Sequence, residues 1–153
     1  MEGMKTEPMP YDVRIVYSDE VTDGLAERVS LLAAQLRGTP MTLTTDWLRE
    51  LVAFPKTWFL IAVVGGEIVG MLTLSAFPRV FGWTAWIEGV VTEEAVRGKG
   101  IGRALMEKAI SIARSEGFAT INLSSRPERE AANALYESLG FEIVPTNYRR
   151  LKL

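Results

Sequence analysis

The sequence contains no cysteine and no histidine. The first absence removes disulfides, thiolate nucleophiles and Cys-ligated zinc together. The second removes the usual base at neutral pH and the commonest metal ligand. A metal centre is therefore not expected, and acid–base chemistry falls to Glu, Asp, Tyr, Lys or water. Charge of one sign is also scarce: 17 basic residues stand against 19 acidic ones, for a formal net charge of −2. That balance does not suggest a nucleic-acid surface. No apolar run approaches the length of a membrane span, so no membrane partner is expected. Residues 1–10 carry Glu2, Lys5 and Glu7 and lack the apolar stretch of a signal peptide. They read as a flexible lead-in, and the missing signal points to a cytoplasmic location.

What is present fits one globular domain over residues 11–153. Hydrophobic residues make up 48 % of the chain and charged residues 24 %. Val13, Ile15 and Tyr17 alternate as a first strand. Ser18-Asp19-Glu20 would cap a helix carrying Val21, Leu25, Val29, Leu32 and Leu36, stopped by Gly38. Thr44, Thr45 and Asp46 would cap a second helix, ended by Pro55. The run 58–64 reads as a buried strand. Gly65-Gly66-Glu67 is a hairpin turn, and 68–75 is the returning strand.

A strand over about 84–92 leads to a helix over about 100–116 and a strand over 119–124. Ser125-Arg126-Pro127-Glu128 reads as a capping box for a further helix, with Ala131, Ala132, Leu135 and Leu139 inward and Gly140 as the stop. Segments 141–144 and 148–153 would close as a hairpin. The order is β-α-α-β-β-β-α-β-α-β-β, a mixed α/β (α+β) domain with antiparallel hairpins at both ends and a βαβ crossover in the middle.

Within the crossover stands Arg97-Gly98-Lys99-Gly100-Ile101-Gly102, followed by Arg103. Three glycines at a helix start cost stability if helical, yet they permit close backbone approach and unusual φ. A helix N-terminus offers N–H groups and partial positive charge. Arg97, Lys99 and Arg103 add formal charge, making an anion site suited to a pyrophosphate. A loop that merely turns tightly is the plain alternative. The pattern is neither a P-loop nor G-x-G-x-x-G.

Two polar residues stand out elsewhere. Glu88 lies inside an otherwise apolar strand, where a carboxylate is costly unless it is paired with an Arg or faces a cleft. Burial would raise its pKa toward neutrality. Arg129, Asn133 and Tyr136, at i, i+4 and i+7, share a polar face of their helix. Tyr136 could equally be a packing residue and Asn133 a solvated one. Phe77, Phe81, Trp83 and Trp86 either line a pocket with the loop 38–45 or cap the core.

Arg97 to Gly102, after a strand and before a helix, resembles the Arg/Gln-x-x-Gly-x-Gly/Ala signature of the GNAT superfamily of N-acetyltransferases. The preceding Val90-Val91-Thr92-Glu93-Glu94 has that family's strand exit. The run Ala131-Ala132-Asn133-Ala134-Leu135-Tyr136-Glu137-Ser138-Leu139-Gly140-Phe141 is similar to its second signature. The resemblance covers residues 57–153 well and the first third by element order alone.

The resemblance implies a GNAT-like mixed sheet whose central parallel strands, ending near Thr92 and Ser124, splay to admit acetyl-CoA. Backbone groups near Val90 and Val91 would meet the pantetheine arm and the acetyl carbonyl. Those of Arg97, Gly98, Lys99, Gly100, Ile101, Gly102 and Arg103 would hold the pyrophosphate, with Asn133 as a further cofactor contact. Tyr136 would protonate the departing thiolate and Glu88 would serve as general base. Many members carry Asn where this chain has Arg129. The acceptor would be a small-molecule or peptide amine, attacked directly because no Cys or His can carry the acyl group. Exposed C-terminal strands would allow a homodimer. A CoA-binding sensor or scaffold without catalysis, or a domain for another phosphate ligand, would keep the glycine turn without needing Tyr136 or Glu88.

Overall fold

The computed structural model describes residues 9–153; residues 1–8 of the expected lead-in lie outside it. The chain divides into two compact units, one running to Leu123 and the other spanning Ser124–Leu153.

In the first unit local chemistry sets the helix ends, not always where expected. Helix α1 spans Asp23–Arg37 because Thr22, in an extended conformation, accepts a hydrogen bond from the Leu25 N–H at 3.2 Å. Ser18–Glu20 forms a separate 3₁₀ turn instead of the cap. The Glu20 carboxylate accepts from the Tyr17 N–H at 2.8 Å and pairs with Arg14, which closes that turn on itself. Gly38 ends α1 in the left-handed region at φ 73°. Helix α2, Thr45–Ala53, is capped by Thr44.

Strands β1 (Asp12–Ile15), β2 (Thr57–Val64), β3 (Glu67–Arg79), β4 (Gly82–Thr92) and β5 (Ile121–Asn122) form one sheet in that order. The first four pair antiparallel and β5 joins β4 in parallel. Gly65 and Gly66, at φ 55° and 84°, make the tight β2–β3 hairpin. The β3–β4 ribbon is longer than the sequence suggested. Its register runs out to Arg79 opposite Gly82, leaving Val80 and Phe81 as a two-residue tip.

Two faces of the sheet are packed. Phe59, Ile61, Met71 and Val91 bury against Val29 and Leu32 of α1 and Leu48 of α2. The alternate residues Leu60, Ala62, Leu72 and Leu74 point the other way. There lies helix α3, Ile101–Ser115, with Leu105, Met106 and Ala109 wholly buried.

The second unit holds helix α4, Glu130–Ser138. The expected capping box does not form. Arg129 is the N-cap, without a side-chain bond to the helix, and the Arg129 N–H donates to the Arg126 carbonyl at 3.1 Å. Pro127 therefore sits in a turn before the helix, not in its first turn. The expected closing hairpin is also absent: residues 139–153 form no strand. Ile143, Tyr148 and Leu151 lie exposed. An isolated two-stranded hairpin is marginal in water, so the alternation of apolar residues alone does not make one. The basis for pairing copies through C-terminal strands falls with it. The order realised is β-α-α-β-β-β-α-β-α.

Candidate active site

The site begins with an irregularity in β4. Met71 pairs with Val91 and Thr73 with Glu88, so Gly89 and Val90 together face the single residue Leu72. Gly89 takes φ 67°, the geometry of a bulge opened by a left-handed glycine. In a regular strand Glu88 and Val91, three positions apart, would point to opposite faces. The bulge sets both on the face covered by α1 and α2, because their partners Thr73 and Met71 are two residues apart. It also shifts the pairing register at Gly89 and Val90, both half-exposed.

Beside the bulge the sheet opens. Pairing between β4 and β5 is confined to Ala85 with Ile121 and Trp86 with Asn122, although β4 continues to Thr92. Asn122 fastens this short contact: its Nδ2 donates to Thr84 Oγ1 at 3.2 Å and to the Ala85 carbonyl at 3.1 Å. From Ile87 onward no strand pairs with β4 on its β5 side among the described residues. β5 is only two residues long, shorter than the expected 119–124, and it lies at the edge of the described sheet rather than its centre.

β4 is held firmly where it ends. Gln35 Nε2 donates to the Thr92 carbonyl at 2.9 Å, and the Glu93 N–H donates to the Val69 carbonyl at 2.7 Å. Sequence patterning gave no sign of Gln35 or Asn122, since one amide among many carries no signature.

The glycine turn follows a 3₁₀ turn at Glu94–Val96. Gly98 and Gly100 both adopt left-handed conformations, at φ 77° and 83°. A Cβ built at either would meet nothing within 4 Å, so these glycines are required by backbone conformation and leave open space above them. Gly100 is the N-cap of α3 and provides no side-chain bond to the helix start. Arg97 and Arg103 stand exposed beside it, in long surface pairs with Glu94 at 3.9 Å and Glu107 at 3.6 Å. An uncapped helix start, open space and flanking cations fit a pyrophosphate.

In the second unit Tyr136 is the buried residue of α4, 5 % exposed, rather than one on a polar face. Its ring meets Phe141 edge-on at 6.1 Å. Ala131, expected inward, is exposed, and Leu135 and Leu139 are half-buried. Burial raises the Tyr136 pKa above its ordinary value, with Arg129, hydrogen-bonded to it, pulling the other way. The i, i+7 spacing thus does bring Arg129 and Tyr136 together. Asn133 Nδ2 donates to the Arg126 carbonyl at 2.9 Å, bracing the turn ahead of the helix. Just before that turn, Ser125 Oγ, which the sequence placed in a capping box, is buried without a hydrogen-bond partner among the described residues.

Glu88 is exposed and joins no salt bridge among the described residues. The expected burial is absent because the bulge and the open β5 side leave this stretch of β4 accessible. The expected aromatic cluster is dispersed: Phe81 is 94 % exposed at the hairpin tip, whereas Trp83 leans on Phe118 at 6.4 Å. Among the described residues no group of acidic side chains could hold a metal, and no helix is long and apolar enough to cross a membrane.

Comparison with known proteins converges on this architecture. The Acetyltransferase (GNAT) family matches residues 28–141. The N-alpha-acetyltransferase RimI of Mycobacterium tuberculosis is 31 % identical over 137 residues, covering 89 % of this chain and 84 % of that protein. A transcriptional regulator from Bacillus halodurans superposes with a TM-score of 0.78 at 29 % identity, covering 94 % of this chain and all of that one. The aminoglycoside acetyltransferase HMB0005, from an uncultured soil metagenomic sample, shares the fold with a TM-score of 0.81 at 24 % identity, covering 95 % of this chain and 100 % of that one. A family match over residues 28–141 and a relative 31 % identical along 89 % of this chain show that the chain belongs to the GNAT acetyltransferase family.

Proposed function

We propose that the chain transfers the acetyl group of acetyl-CoA directly to a primary amine. The observation that carries this reading is the turn of two left-handed glycines, ringed by Arg97, Lys99 and Arg103, feeding the uncapped start of α3. Backbone groups from Arg97 to Arg103, with Gly98, Lys99, Gly100, Ile101 and Gly102 between them, bind the pyrophosphate. Val90 and Val91, at and after the bulge, orient the pantetheine arm and polarise the acetyl carbonyl. Acetyl-CoA supplies an acyl carbon already activated as a thioester.

Glu88 accepts the amine proton, directly or through water. Tyr136 gives its proton to the departing sulfur. Its hydroxyl, whose pKa burial raises above the ordinary 10.0, is protonated at neutral pH and available to donate. Arg129, bonded to Tyr136, orients it, and Asn133 acts by holding the turn at Arg126.

The acceptor proposed is a lone α-amine on an amino acid or peptide. Supporting this is the similarity to a protein named as an N-alpha-acetyltransferase. Glu88 is also the one carboxylate in β4, and no acidic residue follows Glu67 in β3. That pattern suits one cationic group better than a polycation. A direct test measures CoA release from acetyl-CoA with peptides bearing a free α-amine, with amino acids and with aminoglycosides. Turnover with the first two groups is expected. CoA binding without turnover on any amine would sink the catalytic part of this reading.

A further inference from the structure

Gly70 lies in β3, buried, paired with Ala62 on one side and Thr92 on the other. It is not among the glycines with positive φ, so backbone freedom does not explain it. Space does. A Cβ there would stand 3.0 Å from Leu105 Cδ1, 3.2 Å from the Val91 carbonyl oxygen and 3.3 Å from Thr92 Cγ2. All three approaches are tighter than ordinary van der Waals contact, and one is to backbone.

The three neighbours belong to the two elements that bracket the glycine turn. Val91 and Thr92 are the last residues of β4. Leu105, wholly buried, is one helical turn into α3 from Ile101. Both elements close over the same residue of β3. The separation between the β4 end and the α3 start, which the intervening turn must span, is therefore set by how nearly each approaches Gly70. We infer that Gly70 is a positioning residue for the cofactor site: its missing side chain lets β4 and α3 converge, which holds the Val90–Val91 backbone and the Arg97–Arg103 turn in one geometry. An added methyl would require its neighbours to give by a few tenths of an ångström, through the Leu105 side chain, the α3 backbone or the Val91 carbonyl at the β4 end, and interiors absorb such a shift poorly. The inference rests on the reading of that turn as the site of CoA phosphates.

The test is calorimetric titration of CoA into wild type and variants, together with steady-state kinetics on an amine accepted by the wild type. Gly70→Ala is expected to weaken CoA binding about tenfold and to raise KM for acetyl-CoA alike, while kcat at saturation changes less than about twofold. Leu105→Val removes the nearest contact atom and Thr92→Ser removes the Cγ2; each alone should bind CoA within about twofold of wild type. Adding Leu105→Val to Gly70→Ala should recover part of the affinity, and adding Thr92→Ser as well should recover most of the rest. Should Gly70→Ala alone fail to fold, the comparison of the double with the triple variant reads the same coupling. Wild-type CoA affinity in Gly70→Ala, or a loss that the added substitutions do not recover in folded protein, overturns the inference. A wild-type protein that takes up no CoA overturns the reading of the turn itself, a distinct result.

Discussion

Arg28 of α1 reaches across to the end of β4, where its Nη2 donates to Glu93 Oε2 at 2.6 Å and its Nε donates to the Ile68 carbonyl at 2.6 Å. One guanidinium thereby joins the first helix, the start of β3 and the first residue after β4. The pair is partly exposed, with side-chain accessibilities of 23 % and 38 %, so its Coulombic part is screened. Arg28→Ala should cost about 1 kcal/mol, mostly from the carbonyl and carboxylate left without this donor. Urea unfolding of Arg28→Ala and Glu93→Gln checks it. Glu93→Gln keeps a hydrogen-bond acceptor and should lose less.

Tyr136→Phe removes the hydroxyl and keeps the ring on Phe141. A fall in kcat of up to about 100-fold is expected, at the low end of general-acid effects because a thiolate leaves readily. An unchanged kcat would remove Tyr136 from the chemistry.

The same residue makes a pH prediction for stability. Its folded pKa is raised, chiefly by burial, above the ordinary value of 10.0. The unfolded chain therefore releases this proton first. The contribution to stability is complete below pH 10 and is lost as pH rises through the folded value. Denaturation midpoints of wild type should decline more steeply above pH 10 than those of Tyr136→Phe. Parallel curves in the two proteins would contradict the assignment.

Glu88→Gln separates chemistry from structure cleanly, because the side chain is exposed and joins none of the salt bridges among the described residues. Stability should change by less than about 0.5 kcal/mol. The kcat for amine acetylation should fall by about 100-fold or more, as expected on loss of a general base. A kcat equal to wild type would exclude Glu88 as the base.

Gly100 supplies the left-handed residue at φ 83° just before α3, with nothing within 4 Å of an added Cβ. The cost of substitution is thus conformational rather than steric. Gly100→Val should destabilise by about 1–2 kcal/mol and weaken CoA binding, while Gly100→Asn, which tolerates this region, should be milder on both measures. Thermal unfolding and CoA titration on both variants read the difference.

Local rules already present in the sequence determined a good deal here. The Gly65–Gly66 hairpin, the Gly38 stop, the Thr44 cap and the glycine turn before α3 all depend on neighbours a few residues away. Where two local signals competed, nearby chemistry chose between them: Thr22 capped α1 and left Ser18–Glu20 as a separate turn. The closing hairpin failed because alternation supplies a pattern but no partner sheet.

What tertiary structure decided involves residues distant along the chain. The bulge at Gly89 exists only in register with Met71 and Thr73, and it determines that Glu88 stands exposed on the same face as Val91. Gly70 reads in sequence as a weak spot in a strand; its role appears only when Leu105 and Val91 close over it. Gln35, Asn122 and Arg28 act through bonds to carbonyls more than thirty residues away. A periodic pattern can say which side of an element is apolar. It cannot say which backbone atoms from elsewhere will arrive there, because that depends on how whole elements pack.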